Sequence, residues 1–344
     1  MLLVVVAALI VLAGVTRYAS GVSRIVAFVF ATLALAGVAW VVSMSIEQVG
    51  HRLGPAITGV MQATLANLPE FFVVIFALGA GETVIAQTAI LGSILVNALL
   101  VLGMVIIAGA TRSKDGVMRF NPKLPNDTAT LLLVASFMIV LIGLTHSAGD
   151  AASSHSETIS IIGAGVILAV YGSWLRQYLT SGSIAEAAGE PARLSLTASL
   201  VLLGLAGVAS AFVSDWFVNA LHPTIEQLHI SQAFAGLVIV SIAGNAVEHA
   251  AGVVLAAKGR SELAISIVKN SMSQIAAFLY PLLVLVSLLT ATRLTFTLAP
   301  VYIGALIGTA VIVWQITGDG EATVFEGVAL VATFVILATF AAFE

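Results

Sequence analysis

The sequence predicts an all-α integral membrane protein of about eleven transmembrane helices, built as one extra helix followed by two inverted five-helix repeats. Three observations lead there. Of the 344 residues, 60% are hydrophobic and only 9% are charged, against roughly 25% charge in a soluble domain. The apolar residues form continuous runs of bilayer-crossing length. Two polar motifs inside those runs recur in the same order at one fixed offset.

Composition also excludes several classes of function. Seventeen acids and thirteen bases cannot wet the surface of a soluble globule of this size, and the mean hydropathy of +1.12 agrees. The net charge of -4 and the lack of a basic patch give no footing for nucleic acid. With no cysteine there is no disulfide frame, thiol nucleophile or thiolate metal site. The first fifteen residues lack a basic n-region and a small-residue cleavage site, so no cleavable signal peptide is expected. No GxSxG, HExxH or phosphate loop is present, and no enzyme or cofactor is expected.

The expected spans are 1–16, 22–44, 53–80, 83–109, 128–147, 158–179, 195–214, 232–258, 261–289, 295–315 and 324–343. The first is short for a bilayer and stands outside the repeats. The third contains Pro69, which lacks an N–H and clashes with the carbonyl four residues before it, so a break is expected just ahead of Glu70, and Gly244 permits the same in the eighth. The runs are continuous rather than alternating, which excludes a transmembrane barrel. Polar interruptions at 111–127, 147–157, 180–194 and 215–231 read as loops, none long enough for a soluble domain. The domain plan is therefore an extra helix at 1–16, a first repeat at 22–179, a cytoplasmic linker at 180–194 and a second repeat at 195–343.

Basic residues orient the chain. Loops after even-numbered spans hold Arg52, Arg112, Lys114, Arg119, Lys123, Arg176, Arg193, Lys258 and Arg260, whereas loops after odd-numbered spans hold Arg17, Arg24 and Arg293. The even loops are expected to be cytoplasmic, with the N-terminus inside and the C-terminus outside, across the plasma (inner) membrane if the source is prokaryotic. Lys269 alone falls inside a span.

The repeat appears in 66–70 (Ala-Asn-Leu-Pro-Glu), which resembles 244–248 (Gly-Asn-Ala-Val-Glu) at an offset of 178 positions. The same offset of 178 carries Ser93 to Ser271. Five spans per repeat is an odd number, so the second copy enters the membrane from the opposite side, the plan of secondary transporters. Glu70 and Glu248 lie near the middle of their spans, where a carboxylate costs several kcal/mol unless protonated, paired or facing a cavity. One reading is a pair of protonated inter-helix partners; the other is a cation site shared by the halves. Asn67 shares a helical face with Glu70, and Ser241 and Asn245 share one with Glu248. The following spans add Gln87, Ser93 and Asn97 in the first half, and Asn270, Ser271, Ser273 and Gln274 in the second. This inventory is all oxygen, which suits a hard cation such as Ca²⁺ with its 6–8 oxygen ligands. His249 is either a proton-responsive neighbour or a packing residue. Lys269 either reaches an interface or a partner away from the acids, or approaches the Glu70/Glu248 pair and competes with a bound cation.

The run from Asn67 to Leu78 (NLPEFFVVIFAL) resembles the first signature of the Ca²⁺/H⁺ antiporters, the CAX branch of the cation/Ca²⁺ exchanger superfamily; 244–250 (GNAVEHA) is similar to the second. Gln87, 92–97 (GSILVN) and 100–103 (LVLG) resemble the helix after the first, and Ser271, Gln274, Phe278 and Pro281 the helix after the second. The resemblance covers nearly the whole chain. It departs at Ala66, Val96 and Lys269-Asn270, and Glu186 and Glu190 make a poor version of the acidic helix seen between repeats. It implies an antiporter exchanging cytosolic Ca²⁺ for H⁺ by alternating access, with Glu70 and Glu248 as the shared ligands. Asn67, Asn245, Ser93, Asn97, Ser271 and Gln274 would support them; on the reading of the residues themselves, apart from the resemblance, His249, Lys269 and Gln87 are candidate modulators. The partners are then Ca²⁺, H⁺ and the bilayer, and the alternative is a Na⁺/Ca²⁺ or monovalent cation exchanger of the same fold. Oligomeric state stays open.

Overall fold

The fold is seen in a computed structural model that describes residues 1–53, 61–62, 64–121, 123–180 and 194–344. Among these residues, nine helices are long and apolar enough to cross a membrane, and Leu2–Tyr18 and Leu68–Gly79 are shorter apolar helices. In chain order they are α1 Leu2–Tyr18, α2 Arg24–Leu53, α3 Leu68–Gly79, α4 Thr83–Ala110, α5 Lys123–Ser147, α6 Ser156–Thr180, α7 Leu196–Leu228, α8 Gln232–Ala257, α9 Ser261–Leu289, α10 Pro300–Thr317 and α11 Val324–Phe343. Among the described residues every expected span contains helix, residues 54–60 and 63 of the third lying outside them, and the chain is an all-α membrane protein.

Several boundaries differ from the expectation. Residues 215–231, read as a polar loop, continue α7 as far as Leu228, with Pro223 inside the helix. The reason is periodicity. Asp215, Asn219, His222 and Glu226 recur on one helical face, while Phe217, Val218, Leu221 and Ile225 are buried on the other. α2 likewise runs past residue 44 to Leu53, carrying Ser45 and Gln48 on its buried side. The 111–127 interruption is not all loop: it holds strand β1, Val117–Arg119, and the start of α5 at Lys123. Residues 295–299 lack helix, which begins at Pro300. Of the 180–194 linker, 181–193, with Glu186 and Glu190, lies outside the described residues.

The offset found in the sequence recurs in the backbone. α3 ends at Gly79 and α8 at Ala257; the next helices begin at Thr83 and Ser261. The two turns close with equivalent bonds, Glu82 N–H to the Ala77 carbonyl (2.8 Å) in the first and Arg260 N–H to the Leu255 carbonyl (2.9 Å) in the second. Each passes through a left-handed glycine, Gly81 at φ 82° and Gly259 at φ 80°, a conformation that only glycine adopts freely. Further along, α4 opens into a π-helical segment at Val96–Val101 and α9 at Ile275–Leu279.

The long helices α2 and α7 lie along each other, with Phe28 and Phe217 in ring contact at 5.2 Å, and α1 rests on both. α3 and α8 sit between this pair and the deeply buried α4 and α9. Glycines permit the tightest crossings, since without a hydrophobic drive between helices in lipid, close backbone approach supplies the attraction. A Cβ on Gly103 of α4 would stand 2.7 Å from the Gly327 carbonyl oxygen of α11. Gly92 is pressed against Leu237 and Ser241 of α8 in the same way. At the end of the bundle holding 111–121, β1 pairs antiparallel with β2, Glu321–Thr323, bringing Arg119 opposite Glu321. Arg119 also bonds Asp115 at 2.8 Å, and this guanidinium holds the exposed Asp115 carboxyl below the usual carboxylate range.

Candidate functional site

Pro69 organises the first half of the site. Residues 66–67 form a turn, α3 starts at Leu68, and the Phe71 N–H bonds the Asn67 carbonyl at 3.0 Å. Ser214 of α7 donates to the Pro69 carbonyl at 3.3 Å, giving that oxygen a partner inside the protein. The break expected before the acid is therefore present. It puts Glu70 in the first turn of α3, where the unpaired N–H groups of a helix start favour negative charge.

The second half is built differently. Gly244 was expected to allow a matching break, but α8 is regularly helical from Ser241 to Ala257, and its irregular part is the π-helical segment Ala235–Val240. What Gly244 supplies is room. A Cβ there would lie 3.1 Å from Glu70 Cγ and 3.2 Å from its Oε1, so the Glu70 carboxyl rests directly on the α8 backbone. Glu70 is only 6% exposed. A cavity of about 230 Å³ is lined by Ala39 and Ser43 of α2, Ala66 and Glu70, and Asn245 and Glu248 of α8. The two glutamates thus face one space, and a second cavity of about 280 Å³ lies on the α4 side of Glu70 beside Ser93.

The amides and hydroxyls expected around the acids converge. Asn245 Nδ2 donates to Ser93 Oγ at 3.2 Å and Asn97 Nδ2 to Ser271 Oγ at 3.4 Å, so both bonds join the two halves of the chain. The Ser271 hydroxyl in turn reaches the Glu248 carboxyl. Glu70 Oε2, Glu248 Oε2, Asn97 Oδ1 and Asn67 Nδ2 are all buried with no hydrogen-bond partner. Buried polar atoms normally find partners, and three of these four are oxygens able to coordinate a cation. Gln274 is buried at the end of the regular part of α9. Among the described residues no group of three or more His, Cys, Asp or Glu side chains gathers to hold a metal, so any cation here rests on two carboxylates plus neutral oxygens.

The three residues expected as modulators lie apart from one another. Gln87 donates to the Thr297 carbonyl at 3.3 Å, tying α4 to the segment before α10. His249 is buried with Nε2 unpartnered, on a different face of α8 from Glu248. Lys269 is fully buried, and its Nζ donates to Thr317 Oγ1 of α10 at 2.5 Å. The approach of this ammonium to the Glu70/Glu248 pair is therefore not the arrangement found. Two residues along a helix turn a side chain by about 200°, so the face that brings Ser271 to Glu248 carries Lys269 away from it. Ser43 and Ser214 were not singled out by the sequence, because a lone serine in an apolar run carries no signal of what it touches.

Comparison with known proteins agrees with this architecture. The sodium/calcium exchanger protein family matches residues 1–176 and 198–343. A Ca²⁺/H⁺ antiporter, ChaA, of Bacillus subtilis is 32% identical over 302 residues, covering 85% of this chain and 85% of that protein. A vacuolar calcium ion transporter of Schizosaccharomyces pombe is 30% identical over 320 residues, covering 90% of this chain and 77% of that one. Among solved structures, native YfkE superimposes with a TM-score of 0.82 at 27% identity, over 100% of both chains. The H⁺/Ca²⁺ exchanger CAX shares the fold at a TM-score of 0.80 and 16% identity, over 97% of this chain and 86% of that one.

Proposed function

Because the chain belongs to the sodium/calcium exchanger protein family, we propose that it is a secondary transporter exchanging cytosolic Ca²⁺ for H⁺, with Glu70 and Glu248 as the shared binding groups. The observation that carries this reading is the pair itself: two carboxylates from related motifs, each with a buried unpartnered oxygen, on one cavity. Relatives named as Ca²⁺/H⁺ antiporters point to the same pair of substrates.

Electrostatics supplies the coupling. Two ionised carboxylates within the membrane cost several kcal/mol, and that cost opposes movement of the empty, charged site. One Ca²⁺ cancels both charges, and so do two protons. Either neutral state crosses between the two access states, whereas an empty pair does not, and a pair holding both ligands would carry excess positive charge. Ca²⁺ release on one side is thereby tied to proton uptake there. Asn67, Asn97, Asn245, Ser93, Ser271 and Gln274 offer the neutral oxygens that replace water around the ion. The access change is a movement of α2 and α7 against α3, α4, α8 and α9, with the two halves related as inverted five-helix repeats. The 111–121 and 317–323 end faces the cytoplasm on the charge count, with the C-terminus outside.

The deciding experiment is Ca²⁺ uptake by vesicles reconstituted with the purified protein under an imposed pH gradient and no Na⁺. Uptake driven by the pH gradient alone supports the reading. Uptake that requires a Na⁺ gradient moves the protein to Na⁺/Ca²⁺ exchange, and passive Ca²⁺ flux indifferent to both overturns it.

A further inference from the structure

α1 stands outside the two repeats, yet it touches both. Among the described residues it packs on α2 and α7, and no comparable contact joins it to α3, α4, α8 or α9. Two glycine notches set this packing. A Cβ on Gly37 of α2 would stand 3.1 Å from both methyl carbons of Val6, so Val6 seats directly on the α2 backbone. A Cβ on Gly14 would stand 3.0 Å from Trp216 Cη2, so the indole of α7 lies on the backbone of α1. Val6 and Ala13 are the buried residues of α1, whereas Val4, Val11 and Val15 on its opposite face are exposed.

The seat on α7 is reinforced one turn further along. Arg17 Nη2 donates to Asn219 Oδ1 at 3.2 Å, and the guanidinium lies 5.4 Å from the Tyr18 ring centroid. Tyr18 in turn meets the Trp216 ring edge-on at 6.4 Å. Val6 and Gly14 lie roughly 12 Å apart along α1 by helix rise, so the two notches hold it at two levels. Between helices in lipid, close packing of this kind supplies the attraction that a hydrophobic drive supplies in water. We infer that α1 couples α2 to α7 so that the two long helices move as one body, with Trp216 as the positioning residue of that coupling.

Exchange at a shared pair of acids needs such a coupling. α2 covers the pair from one flank, its Ala39 and Ser43 lining the cavity that both glutamates face. α7 covers the other flank, where Ser214 holds the Pro69 carbonyl beside Glu70. The two helices come from different halves of the chain and touch directly through Phe28 and Phe217. If one moved without the other, the pair would be uncovered on one flank and held on the other, and the two carboxylates could not take up or release an ion together. A helix bound to both covers, and to none of the helices that carry the acids, keeps them in step without opposing their motion. This inference rests on the movement of α2 and α7 proposed above.

The chain has no cysteine, so pairs of introduced cysteines bridged by a bifunctional thiol reagent test the coupling in reconstituted vesicles. Bridging Arg17→Cys to Asn219→Cys joins α1 to α7 where their side chains already bond, and should leave the maximal rate of Ca²⁺ uptake at the wild-type value. Bridging Glu82→Cys to His222→Cys, whose side chains approach to 2.7 Å between the α3–α4 turn and α7, should stop uptake. Trp216→Ala and Gly14→Leu, which unseat α1 from either side, should each lower the maximal rate roughly three- to tenfold, the span of one close helix contact in lipid, with half-saturating Ca²⁺ unchanged. Trp216→Phe keeps a ring on Gly14 and should keep the rate. The Arg17–Asn219 bridge built into Trp216→Ala should restore the rate, as repair of a merely structural defect would not. Uptake blocked by that bridge in the wild type, wild-type rates in both Trp216→Ala and Gly14→Leu, or a rate in Trp216→Ala that the bridge leaves low each overturn the inference while the exchange reading stands. If uptake in the wild type follows a Na⁺ gradient instead, the exchange reading fails, and the same comparisons under that gradient still decide the role of α1.

Discussion

Gly244→Ala tests whether the Glu70 carboxyl works where it lies. The added Cβ would meet Glu70 Cγ at 3.1 Å, Oε1 at 3.2 Å and Cδ at 3.3 Å, where ordinary contact needs a few tenths of an ångström more. Overpacking of this kind costs about 1–3 kcal/mol. The cavities on both sides of Glu70 let it yield, so the lower end applies, about 1 kcal/mol. Charged against the ion-bound geometry, that is roughly a fivefold loss of affinity. The same change removes a glycine from a helix interior, which is worth about 1 kcal/mol of stability in the other direction. The variant should therefore bind Ca²⁺ roughly fivefold more weakly while unfolding at the same temperature or slightly higher. Half-saturating Ca²⁺ in pH-driven vesicle uptake gives the first quantity and thermal unfolding in detergent the second. Gly172→Ala, whose Cβ meets nothing within 4 Å, is the control and should match the wild type in affinity. An unchanged half-saturation in Gly244→Ala would refute the argument that the carboxyl must sit against the α8 backbone.

Three further outcomes follow from the arrangement described. Glu70→Gln and Glu248→Gln should each abolish pH-driven Ca²⁺ uptake while leaving insertion and folding intact, and normal uptake in either removes the pair from the mechanism. Lys269→Val should leave half-saturating Ca²⁺ within about twofold of wild type, because the ammonium bonds Thr317 rather than a glutamate; a fivefold tightening would mean that it does act on the ion. Single cysteines at Ser113 should react with an impermeant thiol reagent from the cytoplasmic side, and at Ser153 and Thr292 from the other side. The reverse pattern would invert the orientation read from the basic residues.

The acid pair was legible because repetition made it so. One glutamate in an apolar run is ambiguous, but Asn67-Glu70 and Asn245-Glu248 at a single offset mark one site before any geometry is known. Hydropathy found the helices for a similar reason, since apolar runs of fixed length are a one-dimensional signal. It failed at 215–228, where length was read and periodicity was not. Asp215, Asn219, His222 and Glu226 lower the local hydropathy, yet their spacing is helical, and a search for that spacing would have extended α7 and brought His222 into view. Two features had no sequence signal. Gly244 was read as a place for the helix to break, whereas its use is to let a partner from the other half approach. The direction of Lys269 depended on which face of α9 meets α10, a property of the assembled bundle.

The π-helical segments of α4 and α9 constrain how these helices can change length. Such a segment bonds i to i+5 and so accommodates one residue more than the regular turn it replaces, which rotates everything beyond it by about 100° relative to a straight helix. In α4, Ser93 lies before the segment and faces Asn245, while Gly103 lies after it and faces Gly327. A chain shortened by one residue between 96 and 101 would straighten α4 with both contacts kept, whereas straightening at full length would keep only one of them, either the bond beside the acids or the close crossing with α11.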